Sequence, residues 1–225
     1  MATNDRGSYT TLAPAACVTS DGQQVAAARG ELIVVNKTAG LVQFYDATTH
    51  VKLAEIAMPK LPHEVCLAPD RRTAYVSIYG LGVWNKNTEH PGREVSIIDL
   101  ATRTKVGAID VSPYKGPHGM AFDGAGVLWV SCDVSGVILA VDVVARRVLD
   151  VITTDSFGTH WLVVTPDGGK LYSSNKSFPY LCVVDTRARK LATKIALECG
   201  SEGLAVSPDG SRLYVMAQRP QQMAV

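Results

Sequence analysis

Four residues that can do chemistry recur at one position of a repeated sequence pattern. Histidine holds this position three times, as His63, His118 and His160, and glutamate holds it once, as Glu202. Each one precedes a short apolar run. Imidazoles and a carboxylate form the ligand set for zinc, copper, manganese or iron. The same imidazoles can act as general acid and base, since an unperturbed histidine pKa of about 6.5 suits proton transfer at neutral pH.

Two readings of the three histidines remain open from the residues alone. In the functional reading, His63, His118 and His160 serve as catalytic groups or hold one divalent metal ion, which would act as a Lewis acid or activate a bound water. In the structural reading, each imidazole hydrogen-bonds the backbone of a neighbouring repeat. Either reading requires elements that bring residues distant in sequence to one point.

The repeat that must position these residues shows itself in two alternating signatures. The first is an apolar run, a Pro-Asp-Gly turn or a variant of it, and a second apolar run. It begins at Leu67, Phe122, Val164 and Val206. The second signature is an apolar run that ends in aspartate, with the aspartates 53, 43 and 43 positions apart. These are Asp46, Asp99, Asp142 and Asp185.

Each repeat is predicted to form four short β-strands, A to D. Proline and glycine favour a tight turn between strands A and B, and an aspartate that accepts backbone N–H groups favours one between C and D. Val, Ile, Leu and Tyr dominate the strands, and no long segment has helical periodicity. Four-stranded units at this spacing are typical of a β-propeller. The fold class is therefore predicted to be all-β, with four-stranded antiparallel blades.

The chain resembles the YVTN family of propeller repeats, which includes lactonase-like propellers of seven blades. Val34 to Asn36, Ser173 to Asn175 and Leu213 to Val215 stand where that family has its Y-V-T-N strand, and Ser207 to Gly210 matches its S-P-D-G turn. The resemblance extends from about Pro14 onward. It implies a propeller with a lactonase-like hydrolase or isomerase activity on a polar metabolite. In such a propeller strand A lines the axis, so the residues that open it converge on one funnel.

The units are expected at 14–58, 62–111, 117–154, 159–197 and, in part, 201–218. Residues 1–13 are expected to be a flexible N-terminus and residues 219–225 a C-terminal tail, so that the last unit holds only strands A and B. About four and a half blades result, which is incomplete relative to a seven-bladed family. Open blade edges would favour self-association or a partner subunit. An irregular closed ring of five blades is the alternative.

Further ligand-binding residues are expected at the same mouth of the propeller. The candidates end their B strands there, stand in the ten-residue insertion of the second unit, or follow a candidate histidine. They are Asn36, Tyr79, Asp133, Asn175 and Lys176 at strand ends, Trp84 in the insertion and Trp161 after His160. A few convergent polar groups of this kind suit a small polar metabolite.

Composition and charge exclude several classes of function. The 47% hydrophobic residues allow a sizeable core, and a net charge of +1 argues against a nucleic-acid-binding surface. No apolar run is long enough to span a bilayer and no secretory signal is evident, so no membrane association and a cytoplasmic location are expected. The five cysteines show no C-x-x-C spacing and indicate reduced packing thiols.

The leading hypothesis is therefore a small-molecule-binding β-propeller, with His63, His118, His160 and Glu202 as the catalytic residues of a lactonase-like hydrolase or isomerase. The competing hypothesis is a non-catalytic propeller scaffold that holds another protein by its rim loops. A third reading is a family member without activity. A shared fold does not by itself choose among them.

Overall fold

A computed structural model describes residues 30–59, 61–81, 90–218 and 223–225. All of the regular secondary structure in these residues is β-strand. Eighteen strands form five antiparallel sheets there. These residues contain no helix that is long and apolar enough to cross a membrane. The all-β prediction is confirmed.

In each sheet, strands that follow one another in the chain pair side by side. The first sheet contains β1 (Glu31–Asn36), β2 (Leu41–Asp46) and β3 (Lys52–Ala57). The second contains β4 (Pro62–Leu67), β5 (Thr73–Leu81), β6 (His90–Asp99) and β7 (Thr104–Asp110). The third contains β8 (Pro117–Phe122), β9 (Leu128–Cys132), β10 (Val137–Asp142) and β11 (Arg147–Thr153). The fourth contains β12 (Thr159–Val164), β13 (Lys170–Asn175), β14 (Tyr180–Asp185) and β15 (Lys190–Ala196). The fifth contains β16 (Ser201–Val206), β17 (Leu213–Ala217) and β18 (Met223–Ala224).

The first and last sheets have three strands each among the described residues. The strand A expected near residues 14–19 lies outside the described part of the chain, and so does the expected flexible N-terminus. At the other end, Met223 and Ala224 pair with Met216 and Val215 of β17. The segment expected to be a tail after two strands therefore contributes a short third strand, β18.

The turns form as their side chains dictate. Asp46 and Asp142 each accept two backbone N–H groups of the following turn through Oδ1, as expected of the C to D connections. These turns close with a residue in the left-handed region, such as Arg146 with φ 54°. In the A to B turn of the fourth sheet, Gly168 supplies the positive φ of 71° that a tight turn needs.

Hydrophobic clusters between adjacent sheets form the core. In β10, Val137, Leu139 and Val141 pack towards the second sheet, and Ile138 and Ala140 pack towards the fourth. Alternate residues of a strand point to opposite faces, so this sheet is buried on both sides. Similar clusters join the first sheet to the second and the fourth to the fifth.

The sheets follow one another around a common axis. The main packing contacts of the described strands join consecutive sheets: β1 with β4, β4 with β8, β8 with β12, and β12 with β16. Strands β4, β8, β12 and β16 are the A strands of their blades. This is the arrangement of a β-propeller, as the sequence predicted. The closed five-bladed alternative depends on residues before Gly30, which lie outside the described part.

Candidate functional site

Each of the four described A strands is interrupted by a β-bulge at the residue predicted to face the axis. The pairing with strand B shifts between Pro62 and Val65 in β4. Two residues of strand A, His63 and Glu64, therefore lie opposite one residue of strand B, Ser77. The same shift occurs in β8, β12 and β16, where the first residue of each pair is His118, His160 and Glu202. A bulge re-aims side chains relative to a regular strand.

A serine of strand B replaces the hydrogen bonds that the bulge removes. Ser131 accepts the N–H of Gly119 at 2.9 Å and donates to the carbonyl of His160 in the next blade. Ser174 makes both kinds of hydrogen bond in the fourth blade, and Ser77 makes the first kind in the second blade. Ser174 accepts from Trp161 at 3.0 Å and donates to the Glu202 carbonyl at 2.5 Å, and Ser77 accepts from Glu64 at 3.1 Å. The serines thereby fix the backbone at the axis.

The structure brings the three predicted histidines into one row. The ring centroid of His118 lies 4.0 Å from that of His63 and 4.0 Å from that of His160. His118 is 1% exposed and His160 is 8% exposed. Glu202 lines the same axial cavity as the three histidines, and Gln218 Nε2 donates to its Oε1 at 2.9 Å.

The row of histidines has too few hydrogen-bond partners for a purely structural role. Neither ring nitrogen of His118 has a partner among the described residues, and His160 Nδ1 also has none. Buried polar groups are almost always hydrogen-bonded, so exceptions call for an explanation. This observation counts against the structural reading for His118.

Burial keeps the imidazoles of His118 and His160 neutral. It lowers the pKa of His160 to about 3, with the charge of Lys176 acting in the same direction and the Glu202 carbonyl opposing it. Burial also lowers the pKa of His118, and the neighbouring His160 and His63 add to that shift. Neutral imidazoles suit metal ligation or N–H donation. They are weak general bases, because an effective base has a pKa near the operating pH.

A second, upper group of polar residues occupies the position that follows strand B in four blades and the equivalent register within the longer strand β5 of the second blade. Its members are Lys37, Tyr79, Asp133, Lys176 and Gln218. Tyr79 Oη donates to Asp133 Oδ2 at 3.3 Å, and Lys176 Nζ lies 3.6 Å from the same oxygen. Lys37 Nζ lies 5.4 Å from the centroid of the Tyr79 ring.

Charges in this upper group are poorly solvated. Burial lowers the pKa of Lys37, and the charge of Lys176 adds to the shift. Burial also lowers the pKa of Lys176, while Asp133 and Glu202 oppose it. It raises the pKa of Asp133 despite the nearby Lys176, and it raises the pKa of Tyr79. A ligand with negative charge would therefore interact favourably with the two lysines.

Members of both groups line one cavity of about 240 Å³. All five sheets contribute to it. The lining residues are Lys37, His63, Glu64, Tyr79, His118, His160, Lys176 and Glu202. Within this set, His63, Glu64 and His118 offer ligand atoms that all lie within 4.8 Å of one another, which makes them the residues best placed to hold a metal ion.

Three candidate ligand residues lie elsewhere. Asn36 Oδ1 accepts the N–H of Ala39 within a turn, and Asn175 Nδ2 donates to the Tyr180 carbonyl. Trp161 packs in the hydrophobic cluster between the fourth and fifth sheets. The fourth candidate, Trp84, lies outside the described residues.

Sequence reasoning missed Lys37 and Glu64. The signal for Lys37 is its register, because it follows strand B of the first blade as Asp133 and Lys176 follow theirs. Glu64 has no such signal, because in a regular strand it would point away from His63.

Comparison with known proteins supports the fold. No family model matches the chain, and no curated protein sequence matches it significantly. The hydrazine synthase of Kuenenia stuttgartiensis is similar in structure, with a TM-score of 0.70 at 20% identity over 95% of this chain and 58% of that chain. A functionally unknown protein from Desulfotomaculum acetoxidans DSM 771 has a TM-score of 0.69 at 14% identity over 92% of this chain and 67% of that chain. At such identities the likeness shows the fold alone, and that fold is of the β-propeller type.

Proposed function

We propose that the axial cavity binds a small polar anion of metabolite size. The observation that carries this proposal is the convergence of all five sheets on one cavity with two partly buried lysines and the neutral imidazoles of His118 and His160. Pockets for drug-sized ligands measure roughly 300–1,000 Å³. The volume of about 240 Å³ therefore favours a smaller molecule.

Charge sets the orientation of the ligand. Lys37 and Lys176 both line the cavity, and the charge of Lys176 lowers the pKa of Lys37, so a carboxylate or phosphate near them relieves their repulsion. The histidines line the same cavity and offer N–H donors or ring nitrogens to the ligand. Glu202 is held in place by Gln218.

The proposed reaction is the opening of a lactone, in keeping with the resemblance to lactonase-like propellers. A neutral imidazole N–H stabilises the negative charge that develops on the carbonyl oxygen. A water molecule attacks the carbonyl carbon and passes its proton to the Glu202 carboxylate. The ring C–O bond breaks, and the leaving oxygen takes the proton from Glu202. Isomerisation would use the same two groups without water.

Calorimetry with gluconate and with inorganic phosphate tests the binding proposal. Lys176→Met is expected to weaken binding about 10- to 100-fold, because charged hydrogen bonds contribute about 1.5–3 kcal/mol. Lys170→Met is the matched control, since Lys170 is exposed at the start of the same strand, β13. Absence of binding by the wild type, or equal affinity in Lys176→Met, would refute the proposal.

Hydrolysis of glucono-δ-lactone, followed in a pH-stat, tests the reaction. Glu202→Gln is isosteric and is expected to reduce turnover by about 100-fold or more, as the loss of a positioned base does. Glu198→Gln changes an exposed glutamate nearby and should leave the rate unchanged. If the wild type binds gluconate but does not exceed the spontaneous rate, the reaction is wrong and the binding proposal stands.

A scaffold role is the second candidate, favoured by exposed apolar side chains on the fifth sheet. Met216 is 50% exposed and Met223 is 59% exposed. This surface could hold another protein without using the axial cavity. Light scattering tests this role by measuring the molar mass at increasing protein concentration. Met216→Lys should abolish any concentration-dependent association of the chain. A chain that stays monomeric over the whole concentration range, with Met216 in place, counts against association through this sheet.

A further inference from the structure

We propose that His63, Glu64 and His118 form a binding site for a transition-metal ion of the zinc type at the floor of the axial cavity. The ligand atoms of the three side chains lie within 4.8 Å of one another. The metal site does not depend on the anion proposed above, because the two lysines that would bind the anion are not among the three metal ligands.

The β-bulge in β4 explains why two consecutive residues can be ligands. In a regular strand the side chains of His63 and Glu64 would point to opposite faces. Here both lie opposite Ser77, whose hydroxyl accepts the Glu64 N–H at 3.1 Å. His63 Nδ1 lies 3.2 Å from Glu64 Oε1, so both side chains face the cavity together.

His118 supplies an independent observation. It is 1% exposed, yet neither of its ring nitrogens has a hydrogen-bond partner among the described residues. Its ring lies between those of His63 and His160, and the Tyr79 ring is edge-on to it at 5.7 Å. A cation bound by one nitrogen would provide the missing partner.

The types of the three ligands indicate which metal ion the site would bind. Two imidazoles and a carboxylate are the ligands of catalytic zinc sites, whereas calcium and magnesium prefer oxygen ligands alone. Three protein ligands leave a coordination position open towards the cavity, as catalytic sites do. His160 lies next to His118, and its Nδ1 also has no partner in the described part of the chain, so it can donate to or ligate whatever occupies that position.

Titration with Co²⁺ tests the site, because cobalt replaces zinc in such sites and reports its coordination by visible absorption. The full chain, without a purification tag and stripped with EDTA, should bind one ion and show a tetrahedral or five-coordinate spectrum. Added Zn²⁺ should abolish this spectrum, since zinc binds such ligands more tightly than cobalt.

Two variants and a control separate this site from adventitious binding. Glu64→Gln and His118→Asn should each weaken Co²⁺ binding more than about 100-fold, because even partners outside the first ligand shell contribute 10- to 100-fold. Glu64 is only half-buried, so its variant stays informative should His118→Asn fail to fold. His90→Ala removes an exposed histidine at the start of β6 and should bind normally.

The proposal is overturned if the stripped wild type gives no cobalt spectrum, or if Glu64→Gln and His90→Ala bind the ion equally well. Gluconate binding to the stripped protein, measured in EDTA, tells the two proposals apart. Binding without metal supports the anion site whatever the cobalt result. A cobalt spectrum without gluconate binding supports the metal site alone.

Discussion

Replacement of Ser131 by alanine tests whether the serine hydroxyls hold successive blades together at the axis. Ser131 is fully buried, accepts the Gly119 N–H and donates to the His160 carbonyl. Alanine preserves the shape of the side chain but leaves a buried donor and a buried acceptor without this partner. Each unsatisfied group costs about 1–3 kcal/mol.

The expected loss in the free energy of unfolding is about 2–4 kcal/mol, because relaxation recovers part of the two penalties. For a chain of this size, the melting temperature should fall by roughly 4–16 °C. Urea unfolding followed by tryptophan fluorescence measures the loss, and the dependence on urea should not change. Thr193→Ala removes an exposed hydroxyl of β15 as a control and should cost less than about 1 kcal/mol.

A Ser131→Ala variant within about 0.5 kcal/mol of the wild type would refute the reasoning. It would mean that the bulge is held by the neighbouring strand pairing and not by the hydroxyl.

Three other predictions concern the backbone and the thiols. Gly119→Ala should lower the free energy of unfolding, measured in urea, by about 1–3 kcal/mol, because the added Cβ would lie 2.6 Å from the His160 carbonyl oxygen. An unchanged free energy would show that the third and fourth blades separate freely. His50→Gly should raise the free energy of unfolding by about 0.5–1 kcal/mol, because His50 has φ 60°, and a lower melting temperature would contradict this. Burial raises the pKa of Cys66 to about 11, so iodoacetamide at pH 8 should label it about 100-fold more slowly than in the urea-unfolded chain. Peptide mass spectrometry should find that labelling rises about tenfold per pH unit below that pKa, and fast labelling at pH 8 would refute the burial argument.

Most of the fold could be predicted because its turns carry distinctive side chains. Asp46 and Asp142 accept the turn N–H groups that their position in the repeat implies, and Gly168 has the positive φ expected of the Pro-Asp-Gly turn. The short strand β18 was not predicted, because Met223 and Ala224 have neither a turn signal nor a periodic pattern.

The site could be predicted only to within one residue. The histidines were found because their register repeats, and the structure brings them together. Asn36 was predicted to lie at the mouth, but its Oδ1 accepts the Ala39 N–H and the next residue, Lys37, lines the cavity. Adjacent residues of a strand point to opposite faces, so an error of one position changes the assignment.

The bulges have a consequence for how the site can change. Among the four described A strands, the doubled position adds a second side chain to the cavity in the second blade, that of Glu64. The third and fifth blades have Gly119 and Gly203 at this position, and Trp161 of the fourth blade packs between two sheets. In the fifth blade, a Cβ added at Gly203 would meet only Met216 atoms at 3.5 Å or more, which is ordinary contact. A carboxylate or imidazole could therefore be introduced at Gly203 without a change in the backbone at the axis. The chemistry of the axial site can thus be altered one blade at a time.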